Sequence, residues 1–241
     1  MNMGRKGGKG HLKKLAAPKK IKILRKNTKW TVRGNPGAHK LTESVPLTTI
    51  IRDYLGYAKT AKEAEKIIKE KKVMVDKKIA TEPKRTVGFM DLIDLPLLKE
   101  QYRITLDNKG RIIIKKIKKP VNFKLSKIKS KKKLKKGVTQ LNFHDNKNIL
   151  VKNDTYKVGD VIKIKLPEMK IEKHLKLEKG NLAYITKGRH AGKTGEIIKI
   201  QKGTLQIKPL VTIKKENEEY TTRKNNIFII GEKKPELETI E

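Results

Sequence analysis

Cysteine is missing from this chain of 241 residues. Its absence excludes disulfides, thiolate catalysis and cysteine-based zinc sites. Aromatic residues amount to 5%, so base stacking is at most a secondary means of binding. Trp30 and Tyr184 are the two candidates for it, each as well suited to filling a core. No apolar run approaches the ~18–20 residues that a spanning helix needs, and the basic N-terminal stretch is not followed by a signal-peptide core. A soluble, cytoplasmic protein with no membrane partner is expected. The five histidines, His11, His39, His144, His174 and His190, are scattered without a metal-binding spacing. They are expected at the surface or against nucleic acid, with no metal, cofactor or small-molecule substrate.

Negative charge is scarce relative to positive. Against 61 Lys and Arg stand 25 Asp and Glu, a net charge of +36. Such a charge repels itself in a compact fold and attracts polyanions, which makes nucleic acid the leading partner. The imbalance is concentrated in two stretches: residues 1–42 hold 13 Lys or Arg and residues 109–144 hold 14, neither with one carboxylate. Blocks of that length point to phosphates supplied from outside. The first is glycine-rich (GRKGGKGHLKKLAAPKK) and offers little core, so alone it is expected to be disordered and to order on RNA. Its candidate phosphate contacts are Arg5, Lys6, Lys9, Lys13, Lys14, Lys19, Lys20, Arg25 and Lys40. The second block contributes Lys131, Lys132, Lys133, Lys135 and Lys136.

Residues 44–95 read as a compact unit. Ser44 is placed to cap a helix with Pro46 in its first turn, and Leu47, Ile50, Ile51 and Tyr54 recur at helical spacing until Gly56. Thr60 and Glu63 form a capping box for a second helix. On it Ala61, Ala64, Ile67 and Ile68 share one face while Lys62, Lys66 and Lys69 group on another. Short strands follow, with a turn about Asp76-Lys77-Lys78. Two helices and a small sheet with a basic helix face resemble the alpha-L RNA-binding fold. That resemblance adds Arg52, Lys62, Lys66 and Lys69 to the candidate contacts.

From Gln101 onward alternation replaces helical periodicity. Val121, Phe123 and Leu125 alternate with Asn122, Lys124 and Ser126. Ile162, Ile164 and Leu166 alternate with lysines after a Val158-Gly159-Asp160 turn. Small antiparallel barrels are expected. The stretch KGRHAGKTGEI, residues 187–197, superficially suggests a phosphate-binding loop, but Gly188 and Gly192 enclose three residues where four are required, and the following segment favours strand over helix. The larger stretch GNLAYITKGRHAGKTGEIIKI resembles a KOW motif, which opens an SH3-like barrel. In this reading Gly188, Gly192 and Gly195 allow tight turns and close backbone approach, and Lys187, Arg189 and Lys193 present cations at the loop tip.

The order of parts carries the strongest resemblance. The basic arm with HLKKLAAPK, the PGAHKLTESVPLTTIIRDYLGYAKTAKEA helix pair, TVGFMDLIDL, DNKGRIIIKKI, the KOW stretch and TTRKNNIFIIGEKKP together closely resemble the family of small-subunit ribosomal protein four of archaea and eukaryotes, over roughly residues 4–234. The resemblance implies an α+β protein: a basic arm (1–42), an alpha-L domain (43–100), a central β domain (101–175), a KOW SH3-like barrel (176–233) and an acidic tail (234–241) where many relatives carry a basic extension. It further implies a non-enzymatic constituent of the small ribosomal subunit, partnered by small-subunit ribosomal RNA and neighbouring ribosomal proteins. Alpha-L segments also precede pseudouridine synthase domains, but neither the catalytic aspartate setting nor the large α/β domain follows here. Asp91 and Asp94 are expected to face solvent or to satisfy turn amides. A KOW-containing transcription elongation or RNA-processing factor is the alternative reading; an elongation factor of this kind would lack the alpha-L segment and the basic arm.

Overall fold

A computed structural model describes residues 10–152, 154–204, 206–215, 218–232 and 234–237. Arg5, Lys6, Lys9 and residues 238–241 lie outside the described residues, as does the side chain of Lys136.

The architecture is α+β, with short helices and mostly antiparallel strands in small sheets. The first helix runs from Leu47 to Thr49 and widens into a π-helical turn over Ile50–Tyr54, ending before Gly56 at φ 73°. Its N-cap is Pro46, whose fixed φ suits the entry. Ser44 is no cap, contrary to expectation: it belongs to the strand Ser44–Pro46, and its Oγ donates to the carbonyl of Lys40. The second helix, Ala61–Lys69, carries the expected capping box between Thr60 and Glu63 and buries Ala64 and Ile68.

Behind the helices lies a five-stranded sheet in the order Lys78–Ile79, Met74–Val75, Leu92–Leu95, Glu100–Leu106 and Ile112–Lys116. The turn between the first two strands in sequence is Asp76-Lys77, both at positive φ (52° and 61°). Two consecutive left-handed residues twist a tight hairpin in the sense its strands require. The sheet continues beyond residue 100, the expected boundary between the alpha-L and central β domains, because Glu100–Leu106 pairs with Leu92–Leu95.

The central sheet is organised by one long strand, Phe123–Lys133. Its first half pairs with Val161–Lys165 and its second with Thr139–Phe143, with a register shift between Ile128 and Ser130. Such a bulge lets one strand serve two curved surfaces. The last sheet runs Glu218–Arg223, Leu210–Lys215, Thr194–Gln201, Leu182–Ile185, Ile227–Gly231, around Ile185, Ile197, Val211, Ile213 and Ile227.

One expectation is corrected by packing. The arm has more core than its composition suggests: Ala17, Ile21 and His39 are buried, and the amide of Ile112 donates to the carbonyl of Lys20. The segment at residues 234–237 is anchored: Leu237 is buried, and Glu236 pairs with Lys163 and Lys173. One apolar cluster threads all the units, from Ile21 through Leu47, Ile68 and Ile104 to Leu125, Tyr184 and Phe228.

Candidate nucleic-acid interface

The centre of the molecule holds a buried cation. Lys124, 1% exposed, places Nζ 3.0 Å from Asp76 and 2.8 Å from Asp145, and also against Asp91. By alternation Lys124 falls on the polar face of its strand, which alone would suit solvent. Instead that face is covered, because Asp76 and Asp91 of the first sheet region and Asp145 of the central sheet close over it. Each carboxylate is held in turn: Asp76 accepts from the amide of Leu92, Asp91 from the amide of Gly88 and stands 2.9 Å from His39 Nε2, and Lys147 reaches Asp76 at 2.5 Å and Asp145 at 3.7 Å. Burial opposes ionisation of Asp145, but the Lys124 ammonium outweighs it and holds the carboxyl at about 2. Burial likewise opposes Asp91, and His39 and Lys124 together carry it well below the usual range. For Lys124 burial is again the largest influence, and the carboxylates overcome it and raise the ammonium well above its ordinary value.

The three carboxylates each bring an oxygen within 4.8 Å of the others, a grouping that suits a divalent cation. The Lys124 ammonium fills that role here and ties arm, first sheet and central sheet together. Asp91 therefore does satisfy a turn amide, as expected, but does not face solvent; Asp94 is also mostly buried and pairs with Lys77 at 3.1 Å.

Three histidines expected at the surface also have internal partners. His39 meets Asp91, and His174 meets Asp160 at 2.7 Å. The Nδ1 of His144 accepts the amide of Lys127 at 3.2 Å, which leaves Nε2 to donate to the carbonyl of Phe89. Burial lowers the pKa of His144 to about 4, in accord with that neutral ring.

The candidate phosphate contacts divide into two groups. Several spend their charge inside the protein. Lys14 is buried with its Nζ on Asn27 at 2.5 Å. Arg25 donates to the carbonyls of Lys14, Ala17 and Pro18, holding the arm's turn. Arg52 forks onto Asp53 with both bonds at 2.8 Å, and Lys131 pairs with Asp154 at 2.6 Å. The others stand outward. Lys62, Lys66 and Lys69 line the exposed side of the second helix, with only a 4.0 Å approach of Lys66 to Glu70. Lys132, Lys133 and Lys135 are exposed where the long strand leaves the core. Lys13, Lys19 and Lys40 are exposed on the arm, and Lys20 is half-buried.

The KGRHAGKTGEI loop joins the strand Leu182–Ile185 to the strand Thr194–Gln201, so a strand and not a helix follows it. Gly188 and Gly192 have φ of 98° and 92°. A Cβ on Gly192 would lie 1.9 Å from the carbonyl oxygen of Asp107, which shows where the loop presses against the first sheet's hairpin. Gly195 has ordinary backbone angles but faces Lys214 O at 2.5 Å from a Cβ position. Of the three loop cations, only Arg189 projects unpaired among the described residues. Lys187 binds Glu43 at 2.7 Å, and Lys193 lies 4.1 Å from the Tyr220 ring centre with its Nζ 2.7 Å from the phenol oxygen. Trp30 is exposed beside His11 and Lys29, whereas Tyr184 is buried and donates to Leu106 O.

Comparison with known proteins matches each of these units in order. The RS4NT (NUC023) domain covers residues 6–42, the S4 domain 45–93, Ribosomal family S4e 98–171 and the KOW motif 179–213. The small ribosomal subunit protein eS4 of Methanocaldococcus jannaschii is 43% identical over 97% of this chain and 98% of its own length. The chain belongs to the S4e family of ribosomal proteins. The eS4 protein of Methanococcus aeolicus is 42% identical over the same shares. The crystal structure of the 30S ribosomal protein S4e from Thermoplasma acidophilum superposes with a TM-score of 0.67 at 37% identity, covering 78% of this chain and 95% of that one. Within this S4e chain the sequence reading misses the internal partners of Lys124 and of Lys127, whose Nζ reaches the carbonyls of Asn225 and Ile227. A signal for Lys127 exists: it continues the parity of Val121, Phe123 and Leu125, the apolar side of the strand.

Proposed function

We propose that this chain is a structural constituent of the small ribosomal subunit, that it binds small-subunit ribosomal RNA through distributed lysine and arginine contacts to phosphates, and that it performs no catalysis. The observation that carries this reading is the distribution of exposed lysines that have no close ion pair among the described residues. They stand on the arm, on the second helix and on the projecting end of the long strand, while the Lys124 cluster and the shared apolar core fix those surfaces relative to one another. Charges spaced on a stiff body recognise the shape of an RNA fold through its backbone. Folded RNA and neighbouring ribosomal proteins are the partners that fit, and the cytoplasmic ribosome is the location. Ultraviolet crosslinking in cells with sequencing of the bound RNA tests the reading. Recovery of small-subunit ribosomal RNA is expected; recovery of nascent messenger RNA instead would replace this function with that of an elongation factor.

A further inference from the structure

Where arm, first sheet, central sheet and last sheet converge, the surface opens into a cavity of about 500 Å³. That volume is within the range of small-ligand sites. Six ammonium groups surround it: Lys20 and Lys40 from the arm, Lys127 and Lys129 from the long strand, Lys187 and Lys224 from the last unit. A single carboxylate, Glu43, answers them, already bound to Lys187. Lys40, Lys129 and Lys224 have no ion pair among the described residues. The Nζ of Lys127 is directed to the carbonyls of Asn225 at 2.9 Å and Ile227 at 2.5 Å, so it supplies charge to the cavity rather than hydrogen bonds. Burial lowers Lys127 to about 8, and the neighbouring Lys224 and Lys187 add repulsion. Holding these cations together without an anion is unfavourable, and a bound anion relieves it.

The floor has the opposite character. Phe89, His144 and Phe228 line it, and Phe89 also stacks on Tyr184 at 5.5 Å and meets Phe228 edge-on at 5.1 Å. The chain has only four phenylalanines and six tyrosines, yet three of those ten rings gather here with a neutral imidazole. A bare inorganic anion makes no use of such a floor, and an apolar ligand makes no use of the rim. A planar apolar group joined to a phosphate uses both.

We infer that this cavity receives a single nucleoside phosphate unit, its phosphate among the rim lysines 20, 40, 187 and 224 and its base against the Phe89 and Phe228 floor. The same chemistry is available from an extruded nucleotide of a bound RNA or from a free mononucleotide. The net charge of +36 concentrates polyanions over single anions, so the RNA-borne nucleotide is the expected source; that case rests on the ribosomal RNA reading above.

The test uses the full chain reconstituted with small-subunit ribosomal RNA, irradiated with ultraviolet light, and mapped for nucleotide adducts by mass spectrometry. An adduct is expected on a peptide containing Phe89, His144 or Phe228. Phe89→Leu should remove it and weaken RNA binding by roughly tenfold, the loss of about one stacked base, while adducts on residues 132–135 persist. Lys224→Gln, an unpaired rim residue, keeps the test open if Phe89→Leu fails to fold: the cavity adduct should fall several-fold at unchanged thermal stability. In a second arm, adenosine and uridine monophosphate are titrated onto the free protein and followed by nuclear magnetic resonance. Shifts confined to the cavity, together with absent cavity adducts, would support the inference with a free nucleotide as the source. Adducts elsewhere on the chain with none in the cavity, and no nucleotide-induced shifts, would overturn it while leaving the RNA reading intact. Absence of adducts anywhere, again without nucleotide shifts, would overturn both.

Discussion

Replacing Lys124 by methionine keeps the stem of the side chain and deletes the one ammonium that touches Asp76, Asp91 and Asp145 together. Removing one partner of a buried ion pair leaves an uncompensated charge, at a cost of about 3–5 kcal/mol. Asp145 gives an independent scale. Its carboxyl falls from an ordinary 3.8 to about 2 in the folded protein, a difference of roughly 2 kcal/mol at neutral pH. Set against total stabilities of about 5–15 kcal/mol, the loss is large. The direction with pH distinguishes this mechanism from general disruption. In the parent, Asp91 and Asp145 have depressed folded pKa values, so their contribution is present above the unfolded value and is lost as pH falls through the folded ones, about 2 for Asp145. In Lys124→Met, Asp91 keeps His39, but Asp145 loses the ammonium that outweighs its burial, and its carboxyl pKa rises above the unfolded value. The contribution of that carboxyl is then greatest at low pH and is lost as pH rises through the raised value. Urea unfolding followed by circular dichroism at pH 5 and 7.5 reads this directly. The parent should change little between them; the variant should be several kcal/mol weaker at pH 7.5 and recover part of that at pH 5. A variant within about 1 kcal/mol of the parent at pH 7.5, or one with no recovery at pH 5, refutes the role assigned to Lys124.

Further outcomes follow from the same geometry. In Lys124→Ala, millimolar calcium should raise the unfolding midpoint, because three carboxylate oxygens within 4.8 Å of one another are left to coordinate it; the parent should not respond. Gly192→Val should destabilise by roughly 2–4 kcal/mol through positive φ and a Cβ only 1.9 Å from Asp107 O, whereas Gly56→Ala, at φ 73° with open space around it, should cost about 1 kcal/mol, both measured by urea unfolding. Replacing Lys132, Lys133 and Lys135 with alanine should leave unfolding unchanged and shrink the salt dependence of RNA binding by ~0.7–0.9 for each phosphate no longer neutralised; an unchanged salt slope removes the projecting strand from the interface. Thr60→Ala should cost about 1 kcal/mol by opening the capping box between Thr60 and Glu63.

Local signals were legible because they are local. The Thr60 and Glu63 box, the stop at Gly56 and the glycine-dependent KOW loop depend on residues within a few positions of one another. Burial of charge depends on what arrives from elsewhere in the chain. Lys124 and Asp76 are 48 residues apart, and Lys127 and Asn225 are 98 apart, so no window of sequence shows either interaction. The same limit explains Ser44, whose capping chemistry is intact but whose backbone is drawn into pairing with Gly88. It explains too why the sheet passes the boundary suggested at residue 100: strand alternation marks where a strand is, not which sheet it joins.

The charge blocks show why this matters for a polycationic protein. A lysine in a run without carboxylates looks identical whether it awaits an external phosphate or meets an aspartate from another segment. The block at residues 109–144 contains both kinds: Lys132 and Lys133 project with no partner among the described residues, while Lys124 is closed in by three aspartates, all of them outside the block. The two uses are mechanically linked. Like charges on a soft chain would separate and lose the shape that an RNA fold reads, since self-repulsion grows with net charge. Cross-linking the segments through a dry ion cluster opposes that separation without relying on salt, because buried pairs are screened far less than exposed ones. In the proposed function the outward cations bind RNA with a strong salt dependence, while the inward cation that holds them in place has almost none.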